Sequence, residues 1–270
     1  MNAIRLYLGM IALSVRSQLQ YRSSLAFQIL GQFIITGIEF GGLYALNARF
    51  GAYGGWAIAE MAFLYGLVDM AFALADGLAY GFDFMGSLVK TGDFDRLLVR
   101  PVSPILQLMG KELTIRRAGR LLQGMAVFGF GALALARSGI RWYAPLPLLA
   151  LAGAFMAGTA AFLAVFLVQA AFTFWTVEGL EAMNAFSYGG RQAAAYPLSG
   201  YRRWMQALFM GVVPVGAATY LPVCFALGRP AFSAWPVWAG ALGPLAIVPF
   251  CAAALLLWRA GLRRYRSGGG

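Results

Sequence analysis

Leu146 to Gln169 reads LPLLALAGAFMAGTAAFLAVFLVQ, twenty-four residues without a charge. A bilayer core about 30 Å thick takes about 20 such residues as a helix, because each backbone N–H and C=O must find its partner inside the segment. Comparable apolar stretches recur near residues 24–46, 57–81, 119–138, 172–192 and 236–258. Composition points the same way: 61% of the 270 residues are hydrophobic and 11% are charged, with a mean hydropathy of +0.71. Those values lie outside the range of a soluble domain. The expected fold is an all-α membrane protein of about six transmembrane helices. No cleavable leader is expected, since Arg5, Arg16 and Arg22 break up the first apolar segment and no small-residue cleavage site follows.

Charge supplies the orientation. With both termini in the cytoplasm, 14 of the 21 basic residues fall on the inner side, among them Arg96, Arg100, Arg116, Arg117, Arg120 and Arg263. The remaining 7 are Arg49, Arg137, Arg141, Arg191, Arg202, Arg203 and Arg229. The bias has the sign of the positive-inside rule. A second topology, with residues 178–205 in the cytoplasm and a span at 206–227, improves the split to 17 against 4. The net charge of +11 is spread between apolar runs and not along one aromatic-interleaved face, so no nucleic acid is expected as a partner.

Histidine is absent and Cys224 and Cys251 are the only cysteines. A zinc site, a His-based triad or a disulfide framework has almost nothing to be built from, so no metal site and no catalytic residue are expected.

Before the first span, Ile4, Leu8, Ile11, Val15 and Leu19 recur at steps of three and four with Arg5, Arg16, Gln18 and Gln20 between them. This is the pattern of an amphipathic helix over residues 2–22, suited to lie in the membrane interface. Gly37 and Gly41, Gly77 and Gly81, and the series Ala150, Ala154 and Gly158 put small residues at every fourth position, a spacing that lets helices approach closely. Glu39, Asp69, Asp76, Glu178 and Glu181 fall in or beside spans, where a lone charge at the bilayer centre costs at least about 2.5–3.5 kcal/mol. They must face protein, water or a partner, and form a candidate translocation path that would favour cationic or amphiphilic cargo. Glu60 lies at the edge of a span as well; the alternative reading puts it at the outer interface and has several of the other acids protonated or hydrogen-bonded within the bundle.

The longest charged segment is KTGDFDRLLVRPVSP, Lys90 to Pro104. Asp93 suits an N-cap, Phe94 to Val99 a short helix, and Pro101 disfavours helical geometry at Arg100. A short exposed helix between charged flanks is what a peripheral partner could grip, although such a loop is also the ordinary form of a solvated connector.

GDFDRLLVRPVSP at 92–104, FTFW at 172–175, AYPLSGYRRW at 195–204, VVPVGAATYLP at 212–222 and GLRRYRSGGG at 261–270 together resemble the permeases of type-2 ATP-binding-cassette exporters. The resemblance implies a single permease domain over 1–270: an interfacial helix at 2–22, spans 1–2 at 24–81, a cytoplasmic coupling loop at 83–118, spans 3–5 at 119–192, an outer re-entrant hairpin at 196–228 and span 6 at 236–258. It implies that Gly92, Asp93, Phe94, Asp95, Arg96, Leu97 and Leu98 form a coupling helix docking in a cytoplasmic ATPase. Pro197, Pro214 and Pro222 would suit breaks in the hairpin.

The energy source is expected elsewhere. The nearest approach to a P-loop, GFDFMGS at 81–87, has serine where the phosphate-binding lysine belongs. ATP and Mg are therefore expected on separate nucleotide-binding subunits, this chain binding no cofactor and not being an enzyme by itself. A second permease, identical or paralogous, would complete the path in the cell (inner) membrane. Two rivals remain from sequence: an ion-coupled secondary transporter using the membrane carboxylates, and a non-transporting scaffold.

Overall fold

The computed structural model describes residues 3–51, 55–111, 114–176, 180–232 and 235–265, and among these no strand forms. α1 (Ala3–Leu19) turns through Gln20 and Tyr21 into α2 (Arg22–Phe50). α3 (Ile58–Ala79) continues by a tight 3₁₀ turn, Tyr80–Phe84, into α4 (Met85–Lys90). α5 (Phe94–Leu98) and α6 (Pro104–Lys111) follow, and a turn at Ile115–Arg117 opens α7 (Ala118–Arg137). Then come α8 (Pro145–Phe172), α9 (Leu180–Ala194), α10 (Arg203–Ala207), α11 (Val215–Ala226) and, after a 3₁₀ stretch Val237–Ala246, α12 (Ile247–Arg264).

Five stretches are long and apolar enough to cross a bilayer: Arg22–Arg49, Ile58–Lys90, Ile115–Arg137, Pro145–Phe172 and Val237–Arg264. A sixth candidate is the pair Arg203–Val212 and Val215–Ala226, bent by 101°. Pro214 stands at the bend, where its fixed φ and missing N–H end the first helix.

α3 is the axis of the bundle, buried along most of its length against α7, α8 and α9. Its approach to α7 rests on missing side chains. A Cβ at Gly66 would lie 2.7 Å from the Gly124 carbonyl oxygen, and one at Gly131 would strike Ala59 and Phe63. Without a hydrophobic drive between helices in lipid, such close backbone contact is what holds a pair together. Of the small-residue series expected to do this, Gly81 meets Leu108 and Gly158 meets Thr219 and Ala71, whereas Gly37 and Gly41 face open space.

Three expectations change. Residues 172–192 are not one continuous helix: α8 ends at Phe172, the chain turns at Thr173–Trp175 beside Phe94 of α5, and α9, described from Leu180 to Ala194, carries the chain toward the end where Ser199 borders Trp56. The turn forms because Phe174 is drawn sideways onto Gly261 of α12, where any side chain would overlap the ring. The last span begins as a ten-residue 3₁₀ stretch and runs on to Arg264 instead of stopping at 258. Pro222 marks no break and lies buried inside α11, its ring accommodated by the bare Gly243.

Candidate functional site

Among the described residues, two clusters bear most directly on function, and the first is the 90–104 loop. Gly92, at φ +74°, takes the left-handed conformation that lets the chain turn out of α4. Thr91 Oγ1 donates to Asp93 Oδ2 at 2.9 Å, and Asp93 pairs with Arg96 at 3.2 Å. α5 is then divided by face. Phe94 is fully buried and Leu97 nearly so, while Arg96, Leu98 and Val99 are exposed.

Phe94 sits in an aromatic clamp, its centroid 5.5 Å from Phe174, 5.1 Å from Tyr265 and 6.4 Å from Trp258. Burial, with the Asp95 carboxylate close by, pushes the Tyr265 phenol above its ordinary range. Gln107 completes the mount: its Nε2 donates to the Leu97 and Val102 carbonyls, both at 2.8 Å, satisfying the C-terminal end of α5. α5 is therefore fastened to the α8–α9 turn and to the end of α12, and offers only its outer face to anything else. Phe94 and Leu97, read from sequence as contacts for a partner, are inward anchors.

The second place is a charge cluster inside the bundle. Arg191 of α9 reaches Asp69 of α3 (Nη1–Oδ1 2.8 Å) and Glu39 of α2 (Nη2–Oε2 2.7 Å). Arg120 of α7 stands 3.9 Å from the same Asp69 oxygen, and both guanidinium groups lie over the Phe72 ring, at 5.2 and 5.7 Å. Nearer the α5 end, Arg117 Nε pairs with Asp76 Oδ2 at 2.8 Å and its Nη2 donates to Tyr188 Oη at 3.4 Å. Asp69 is wholly buried and Asp76 almost so. Charges so placed persist only when paired and hydrogen-bonded. Four helices are thereby tied by three acids facing three arginines.

Glu39, Asp69 and Asp76 are each matched by an arginine within the chain, so none of these three presents an unpaired charge. The cluster keeps unused capacity: among the described residues Arg120 Nη1 and both Gln123 amide atoms are buried without a hydrogen-bond partner. Glu178 lies outside the described residues, and of the Glu181 side chain nothing is described. At the other end of the bundle Arg229 pairs with Glu60 at 2.7 Å and covers the Trp56 ring at 4.6 Å.

Sequence reasoning missed the arginine partners, Gln107 and Gln123. A signal existed for the arginines: two acids seven residues apart on one helix, with arginines three apart on another, share a face in each case. Arg191 had no such signal, since its partners are 122 and 152 residues away in the chain.

Among the described residues, an all-helical bundle with five or six candidate spans, an internal charge lattice and a loop anchored at one end defines a multi-pass membrane protein. The chain belongs to the ABC-2 family transporter proteins, whose sequence profile matches residues 33–269. It is accordingly a permease subunit of an ATP-binding-cassette transporter. No curated protein and no solved structure matches the chain.

Proposed function

We propose that this permease is the membrane half of an exporter, driven through α5 by a separate cytoplasmic ATPase that carries ATP and Mg. The observation that carries the reading is the mounting of α5. A helix of five residues with an exposed outer face is clamped by Phe94 to the turn that leads into α9, and α9 carries Arg191. Force on Gly92–Leu98 would pass through Phe174 to α9 and so to the pairing of Arg191 with Glu39 and Asp69. This gives the ATPase and the span interior a shared mechanical element, as coupling between sites requires. The translocation path runs beside the cluster, along Glu39, Asp69 and Asp76, where Arg120 and Gln123 keep unfilled polar atoms. Charge compensation of the acids speaks against the proton-relay rival.

In this reading the α5 end and both termini face the cytoplasm, the membrane is the cell (inner) membrane, and a second permease, identical or paralogous, completes the path. Residues 196–228 form an outer re-entrant hairpin. Supporting this, Ser199 and Gln206 before the bend and Arg229 after it border one cavity with Trp56, so both arms return to the same end.

The test replaces only the outer face of α5. Arg96→Ala with Leu98→Ser is expected to lower retention of the ATPase about tenfold or more, while the permease inserts and melts as the unaltered chain does. Full retention with cargo-linked ATP turnover would remove α5 from the coupling role and favour a scaffold.

A further inference from the structure

We propose that the cavity between α1, α6 and the start of α7 is a binding site for the phosphate of an anionic phospholipid, held where the interfacial helix meets the bundle. The cavity has a volume of about 680 Å³. Its lining is apolar at Met10 and Leu13 of α1 and carries Arg100, Arg116 and Tyr80 from the loop after α5, the turn before α7 and the turn after α3. Ser14 adds a hydroxyl. No acidic residue lines it, and among the described residues neither Arg100 nor Arg116 forms an ion pair, so the lining is net positive.

Arg116 is held ready for an anion. Its Nη2 donates to Tyr80 Oη at 3.2 Å, its guanidinium lies 5.3 Å from the Tyr80 ring centre, and its Nε is buried without a partner. The head is thus fixed in orientation with donors left over, the condition for charge-assisted, two-point recognition of phosphate oxygens. The cavity is itself stapled: Ile115 N donates to Gln18 Oε1 at 2.9 Å, fixing α1 to the start of α7 across 97 residues of sequence. Arg100 comes from the loop just beyond α5.

The apolar lining decides the class of ligand. A free anion has no use for Met10 and Leu13, and an acidic loop of a soluble partner would have to pass beneath a helix that lies in the interface. A phospholipid supplies both chemistries from the side at which α1 meets the membrane, and anionic lipids attract juxtamembrane arginines. The inference uses the permease reading only to name the cytoplasmic leaflet, and its test needs neither ATPase nor cargo.

Full-length protein in mixed micelles is titrated with phosphatidylglycerol, with phosphatidylcholine and with inorganic phosphate. Lipids retained are counted by native mass spectrometry, and melting is followed in parallel. One phosphatidylglycerol per chain should be retained in preference to phosphatidylcholine and should raise the melting temperature. Arg100→Gln with Arg116→Gln should weaken retention about tenfold or more. Arg100→Gln alone, at the exposed rim where folding is not at risk, should weaken it in the same direction. Arg203→Gln, at the other end of the bundle, should leave it unchanged.

Equal retention of the two lipids, or retention unaltered in both arginine variants, overturns the proposal. So does stabilisation by inorganic phosphate equal to that by phosphatidylglycerol, which would make this a soluble-anion site.

Discussion

Phe94 touches three other rings and no solvent, so truncating it is a structural experiment. Phe94→Ala should leave a cavity between Phe174, Trp258 and Tyr265 and cost about 3–5 kcal/mol, seen as a fall in melting temperature in detergent. A variant that melts like the unaltered chain would show that the clamp does not hold α5. Asp76 and Arg117 offer a cleaner pair than Arg191, which serves two acids. Asp76→Asn strands a buried guanidinium and should cost about 3–5 kcal/mol. Arg117→Gln in the same chain should recover much of that loss. Coupling in the double-mutant cycle of under about 0.5 kcal/mol would mean that the two residues do not act as a pair. At this scale the acids were legible and their role was not. Carboxylates in a span announce that partners exist, but which arginines turn inward depends on helix rotation, and Arg120 and Arg191 read equally well as flanking charges.

Between helices, Gly66 decides more than any motif found in the sequence. Alanine is the better helix former by about 1 kcal/mol, yet Gly66→Ala would press a methyl onto the α7 backbone. The overlap should win, and thermal unfolding should show a net loss; a gain would mean that α3 and α7 can separate freely. Spans were legible wherever hydropathy alone sets them, as in α2, α3, α7 and α8. The α8–α9 turn was not. Phe172 to Trp175 is as apolar as the helix before it, and the reason for turning is a bare glycine in α12, ninety residues on. Gly37 and Gly41 taught the converse: small-residue spacing states how closely a helix could be approached, not that its own chain approaches it.

Across the whole molecule, the arginines paired inside the bundle's charge cluster must be discounted before charge is used to orient it. Setting aside Arg117, Arg120 and Arg191 leaves 12 basic residues against 6, and the sign of the bias survives. Labelling checks it. In a Cys251→Ser background, with Cys224 buried, cysteines at the exposed positions Arg141 and Ser199 should react with an impermeant reagent in intact cells. A cysteine at Thr91 should react only after permeabilisation. Labelling of Ser199 from the cytoplasm alone would replace the re-entrant hairpin by the charge-preferred topology.

The 3₁₀ stretch ahead of α12 makes that span longer than its residue count implies. A 3₁₀ helix rises about 2.0 Å per residue against 1.5 Å for an α-helix. Ten residues of it, Val237–Ala246, therefore stand about 5 Å taller than the same residues wound as α-helix. Gly240 and Gly243 hold this stretch bare against α11, and the added reach is comparable to the thickness differences between natural bilayers, so residue count alone understates the bilayer this span fits.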